Sequence, residues 1–310
     1  MKFFNFKKMI TITIGTFFVL NAHAQDSNLT AQNTTAASPV NTTQAHMEEQ
    51  IKIATPRKLK FALVTASFAG MDGVNNGAGE VSSLHQVRAD YKMGDSESFR
   101  VNQYLTNSWS GQKNDLVVGD LYLQYARSQI SDLPLGTVLN GHVRTTLPVS
   151  EATRKMGQNA AVRGGLEILK KFSSDLSIGL NLMPTYNLQS KNSYEAANPT
   201  TGAVSQKANS AGSFWYYLSA NWNLSKKLSF VQDFGLMRYW YKADSEKGIS
   251  SKTKEFLYAD TSLTYQIDDI FEIGGGLSSY LRRDMLAQEN EFALYRSDET
   301  DYYVTGTMRF

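Results

Sequence analysis

The chain contains no cysteine. That excludes disulfides, thiol nucleophiles and cysteine-ligated metals from its chemistry. It also lacks a long apolar run. Beyond residue 25 no stretch approaches the roughly 18 apolar residues that a membrane-crossing helix needs. Charge of one sign is missing too: 31 lysines and arginines face 29 acidic residues. No basic patch suited to nucleic acid stands out, so nucleic acid is not an expected partner. Histidine is scarce, and past the N-terminal leader only His46, His85 and His142 occur. No grouping of side chains suggests a metal site or a bound cofactor, and none is expected.

What is present begins with an address. Lys2, Lys7 and Lys8 precede the apolar stretch Met9 to Leu20, and Ala22-His23-Ala24 follows as a small-x-small cleavage pattern. Residues 1–24 are read as a secretory signal peptide. Residues 25–57 are rich in Asn, Thr, Gln, Ala and Ser and hold too few bulky apolar residues to fold alone. Two readings stay open for them: a flexible periplasmic segment, or a segment that enters the following domain and partly plugs it.

From residue 58 the hydrophobic period changes to two, the signature of strands. Twelve segments follow: 58–68, 82–93, 98–108, 115–127, 137–147, 159–170, 175–188, 212–224, 228–241, 255–267, 270–283 and 299–310. The clearest is 175–188, where Leu176, Ile178, Leu180, Leu182 and Tyr186 alternate with Ser177, Gly179, Asn181, Thr185 and Asn187. The least clear is 228–241, because Gln232 and Asp233 fall on opposite faces. Connections alternate short and long, the longest spanning 189–211. A soluble sandwich has no reason to sort loop length by parity. A transmembrane barrel does, with short turns on one side and longer loops on the other. Tyr91, Trp109, Tyr125, Tyr186, Trp222, Trp240, Tyr265 and Phe310 fall near segment ends, where aromatic girdles meet lipid headgroups.

The closing segment carries a resemblance. Tyr302, Val304, Gly306, Met308 and Phe310 alternate with Tyr303, Thr305, Thr307 and Arg309, and the run stops on the terminal aromatic. This resembles the final strand of bacterial outer-membrane β-barrel proteins. With the leader and the loop parity, residues 58–310 resemble the twelve-stranded monomeric outer-membrane channels. The resemblance implies an all-β, antiparallel, up-and-down transmembrane barrel in the outer membrane of a Gram-negative bacterium. It also implies monomers set in outer-membrane lipid and lipopolysaccharide. Insertion would fall to periplasmic chaperones and the barrel-assembly machinery, with Tyr302, Val304, Gly306, Met308 and Phe310 as the assembly signal.

If the apolar faces meet lipid, the polar faces line a lumen. The candidate lumen residues are Arg88, Arg100, Asp120, Arg144, Arg163, Glu167, Asp260, Glu272 and Arg282, with Asp90 and Arg309 beside them. A twelve-stranded lumen is narrow, and long charged side chains occupy much of it. Either these charges form a structural ion-pair lattice, or their guanidinium groups make a constriction that selects anionic or polar solutes. The expected function is a narrow passive channel. A non-conducting structural or surface-interaction barrel is the alternative. An outer-membrane hydrolase is the third reading, disfavoured because no nucleophile with a positioned base is visible. His46 lies in the leader-side segment, and His85 on the apolar face. His142 faces inward beside Arg144, and the loop acids Glu289, Glu291 and Asp298 read as solvated charges.

Overall fold

A computed structural model describes residues 58–75, 81–108, 116–197, 204–282, 295–296 and 299–310. The signal peptide, the 25–57 segment, His46, Trp109, Glu289, Glu291 and Asp298 lie outside the described residues.

Fourteen strands are described. The first seven are β1 (Leu59–Gly70), β2 (Val81–Lys92), β3 (Glu97–Ser108), β4 (Leu116–Leu133), β5 (Thr137–Leu147), β6 (Gln158–Lys171) and β7 (Leu176–Gln189). The rest are β8 (Ser193–Ala197), β9 (Val204–Ala208), β10 (Ser210–Asn223), β11 (Leu228–Tyr241), β12 (Lys252–Gln266), β13 (Phe271–Arg282) and β14 (Thr300–Arg309). Twelve of them close into one barrel in the order β1-β14-β13-β12-β11-β10-β7-β6-β5-β4-β3-β2, and β8 with β9 forms a separate hairpin. Every barrel neighbour is antiparallel, and closure joins the last strand to the first, Ala62 opposite Arg309. Phe310 N–H donates to the Phe61 carbonyl at 2.9 Å, and the Phe310 carbonyl accepts from Phe61 N–H at 3.3 Å. Closure removes both sheet edges, which is what a β-structure in lipid requires.

Alternation turns this barrel inside out relative to a soluble one. Phe61, Val87, Val143, Leu166, Leu218, Ile273 and Val304 lie exposed on the outer wall, while Gln86, Asn102, Asp233 and Asp260 are buried inside. Tyr91, Tyr125, Tyr186, Trp222, Trp240, Tyr265 and Phe310 are all exposed on the outside, Tyr186 by 63%. Two outward amides have their polar atoms hidden from lipid. Gln103 Nε2 donates to the Tyr104 and Gly119 carbonyls at 2.9 and 2.8 Å. Gln232 Nε2 donates to those of Asp233 and Asp260 at 2.9 and 3.0 Å. An amide left unpaired in hydrocarbon costs several kcal/mol, about what burial without a partner costs elsewhere.

Three departures from the sequence reading have local causes. First, β4 runs to Leu133 and not to 127. A register shift between Arg127 and Ser131 resets the pairing, with Gln129 at φ 53°, so the period of two breaks inside a continuing strand. Second, the 189–211 connection holds the β8–β9 hairpin, whose small polar residues carry no apolar alternation to announce it. Third, short helices α1 (Met71–Asn75) and α2 (Glu151–Lys155) interrupt two of the longer loops. Ser150 caps α2, its side chain accepting from Thr153 N–H.

Gly235 allows a close strand approach. A Cβ there would sit 2.2 Å from the Tyr216 carbonyl oxygen and 2.4 Å from Tyr217 Cα, both backbone atoms that cannot swing aside. Gly235→Ala should therefore destabilise the barrel by about 3 kcal/mol, the upper range for overpacking a tight site. The check is the urea midpoint in lipid vesicles; an unchanged midpoint would show that β10 and β11 can separate without cost.

Candidate functional site: the lumen

Inward positions follow from strand parity. On β2 to β6 they place Arg88, Arg100, Gln124, Arg144 and Arg163 inside, all buried. On β7 and β10 to β12 they place Met183, Trp215, Tyr217, Met237, Tyr239 and Tyr258 inside, packed as one cluster. The lumen thus has a guanidinium wall and an aromatic wall. Edge-on contacts knit the second: Trp215 and Tyr239 lie 6.4 Å apart, Tyr217 and Tyr258 6.0 Å. Such edge-to-face pairs add roughly 0.5–1.5 kcal/mol each beyond the area they bury.

The four arginines fall into two different pairs. Arg88 and Arg100 share one carboxylate, Asp90, at 2.8 and 2.5 Å, which ties β2 to β3. Arg144 and Arg163 are direct cross-strand partners on β5 and β6, and no carboxylate reaches either among the described residues. Arg144 instead donates twice to Gln124 Oε1, at 3.0 and 2.9 Å, and its guanidinium lies 4.1 Å from the centre of the Tyr122 ring. Arg163 Nε donates to Thr185 Oγ1 at 2.9 Å, with its guanidinium 5.2 Å from the Trp215 ring centre. Each aromatic face stabilises the cation above it by roughly 0.5–2 kcal/mol. Neither cancels the charge.

The remaining predicted residues are spread over other tasks. Asp260 and Asp233 are cross-strand neighbours with 0% exposure. Tyr303 Oη donates to Asp260 at 2.8 Å, and Ser219 Oγ donates to Asp233. Glu272 pairs with Arg309 at 3.1 Å. Glu167 accepts from Asn140 Nδ2 at 2.9 Å. Asp120 accepts from Ser150 N–H at 2.9 Å and from Thr153 Oγ1 at 2.8 Å, so it anchors the α2 loop at the mouth. Arg282 ends β13 opposite Phe256; its side chain lies outside the described residues. Tyr302, Val304, Gly306 and Met308 fall on the outer face of β14, and Phe310 follows it, exposed.

Sequence reasoning set Tyr122 and Gln124 on the polar face of 115–127 without giving them a role, and did not pick out Asp233 or Trp215 for the lumen. Asp233 was hidden because β11 sends Val231, Met237 and Tyr239 inward and Gln232 and Arg238 outward, so neither face reads as polar. Its signal was the neighbouring strand, where Ser219 sits on the clear inward face of β10. The two described histidines are apart. His85 Nδ1 meets Thr65 Oγ1 at 3.1 Å on the outer wall. His142 points inward, its ring lying where a Cβ on Gly165 would come within 2.0 Å.

A closed, twelve-stranded, antiparallel barrel with an apolar outside and a charged, hydrogen-bonded inside has the fold of an outer-membrane β-barrel. No protein-family model matches the chain, and no curated protein sequence matches it. Among solved structures it is similar to an outer-membrane channel from Pseudomonas putida F1, at 13% identity and a TM-score of 0.52, over 83% of this chain and 97% of that one. At such identity the likeness is one of fold. Fainter likenesses are to the NanC porin (8% identity, TM-score 0.46, 80% and 98% coverage) and the KdgM porin (9%, 0.44, 81% and 99%).

Proposed function

We propose that the protein is a monomeric channel in the outer membrane of a Gram-negative bacterium, passing small polar solutes passively and favouring anions. One observation carries this reading: Arg144 and Arg163 stand side by side in the lumen, 9% and 7% exposed, with no carboxylate partner among the described residues. A structural lattice pairs its cations with carboxylates, as Asp90 is shared by Arg88 and Arg100, because a buried unpaired charge is costly. Two adjacent uncompensated guanidiniums are the opposite arrangement. They suit a constriction that uses positive charge to draw anions through. The two readings of the arginines thus apply to different pairs.

Placement in the outer membrane rests on the apolar outer wall, its aromatic girdles and the leader sequence. An enzyme is not proposed, because no nucleophile with an acid-oriented base is observed among the described residues. Single-channel recording in planar bilayers is the test. Discrete conductance steps with a reversal potential displaced toward the anion side are expected. Silence from both the mature chain and a chain lacking 25–55 would overturn the channel and leave a structural or surface-interaction role.

A further inference from the structure

Arg144 and Arg163 differ from a diffuse positive patch in which of their N–H groups are engaged. Both Arg144 Nε and Nη2 are spent on Gln124, and Arg163 Nε on Thr185. Among the described residues, Arg144 Nη1 and both terminal nitrogens of Arg163 hold no hydrogen bond. Tyr122 and Trp215 lie against the guanidinium faces, so the groups are held in orientation while their N–H edges stay available. Further donors stand nearby. Tyr122 Oη is buried without a hydrogen-bond partner, as are both Nδ2 and Oδ1 of Asn102, which pairs with Tyr122 across β3 and β4.

Buried donors without acceptors are rare in folded proteins, since each forfeits its bonds to water. Two of them, Tyr122 Oη and Asn102 Nδ2, stand on the wall beside the Arg144 guanidinium. We propose that Arg144 and Arg163 form a two-armed station that binds an oxyanion, a carboxylate or phosphate group on the passing solute; this deepens the channel reading and rests on it. The Nη1 and Nη2 fork of Arg163, with Arg144 Nη1 beside it, matches the paired oxygens of such groups, which a spherical halide cannot offer. Tyr122 Oη and Asn102 Nδ2 supply the remaining hydrogen bonds.

The test is a titration of the detergent-purified full chain with inorganic phosphate, acetate or chloride at constant ionic strength. Tryptophan fluorescence reports binding, because Trp215 lies beneath Arg163, and calorimetry repeats the measurement without relying on that reporter. Saturable binding of phosphate, acetate or both, with no saturation by chloride, is the expected result; the tighter of the two names the chemical group. In the Arg144→Lys, Arg163→Lys double variant, oxyanion binding should weaken at least tenfold, since charge is kept and the guanidinium geometry is lost. Equal response to chloride, no saturation by either oxyanion, or wild-type affinity in the lysine variant each overturns the station. The titration needs no current, so silent bilayers would remove the channel without deciding the station.

Discussion

Asp90→Asn should be among the most destabilising single changes in the lumen, costing about 3–5 kcal/mol. The carboxylate is the shared partner of Arg88 and Arg100, at 2.8 and 2.5 Å, and both guanidiniums are buried. Asparagine keeps the shape and one acceptor but removes the charge, leaving two cations in a poorly hydrated wall. Removing one partner of a buried ion pair typically costs that much, because the remaining charge has no way back to water. The lesion also falls between β2 and β3, so lost stability appears as lost strand pairing. Urea unfolding in lipid vesicles measures it; Asp90→Asn within about 0.5 kcal/mol of the parent would mean that water already hydrates Arg88 and Arg100. Channel selectivity should change little, since the charge that selects lies elsewhere.

The second large effect has the opposite profile. Arg144→Gln with Arg163→Gln should reduce the anion-to-cation permeability ratio about tenfold while leaving stability unchanged or raised. Two like charges on directly paired positions repel by roughly a few kcal/mol at an effective dielectric constant of about 20. Removing them relieves that repulsion and also removes the positive potential that a permeating anion meets. Hydration screens most of this, and about 1.4 kcal/mol remaining corresponds to a tenfold change in permeability. Reversal potentials across a salt gradient read the ratio directly. If the glutamine variant keeps the parent ratio, the arginine pair does not select. If it loses stability as Asp90→Asn does, the arginines belong to the structural lattice after all.

Most of the architecture was legible before any coordinates, for a physical reason. Lipid outside and a polar lumen inside impose an alternation on every strand, and Leu176 to Leu188 shows it without interruption. The hydrogen-bonded closure of β14 onto β1 follows from the same constraint, since lipid tolerates no open edge. Legibility failed where the constraint is weaker. The β8–β9 hairpin has no lipid face to encode, and the extension of β4 crosses a bulge at Arg127–Ser131. In β11 the inward face meets an aromatic wall, and its residues therefore look no more polar than the outward ones.

The lumen residues were legible as a set but not as partners. Parity alone placed Arg88, Arg100, Arg144, Arg163, Glu167, Asp260 and Glu272 on inward faces, because a side chain's face depends only on its position along its own strand. Parity could not say that Asp90 is shared by two arginines, that Asp120 anchors the α2 loop, or that Arg144 stacks on Tyr122. Those facts depend on register between strands, and register is set by hydrogen bonding around the whole closed ring. From its sequence alone this chain had to be an even-stranded barrel with a charged interior, since only that pattern of faces survives in lipid. Which of its charges cancel and which remain unpaired was decided by the tertiary structure, because cancellation is a matter of a few ångströms across strands far apart in the chain.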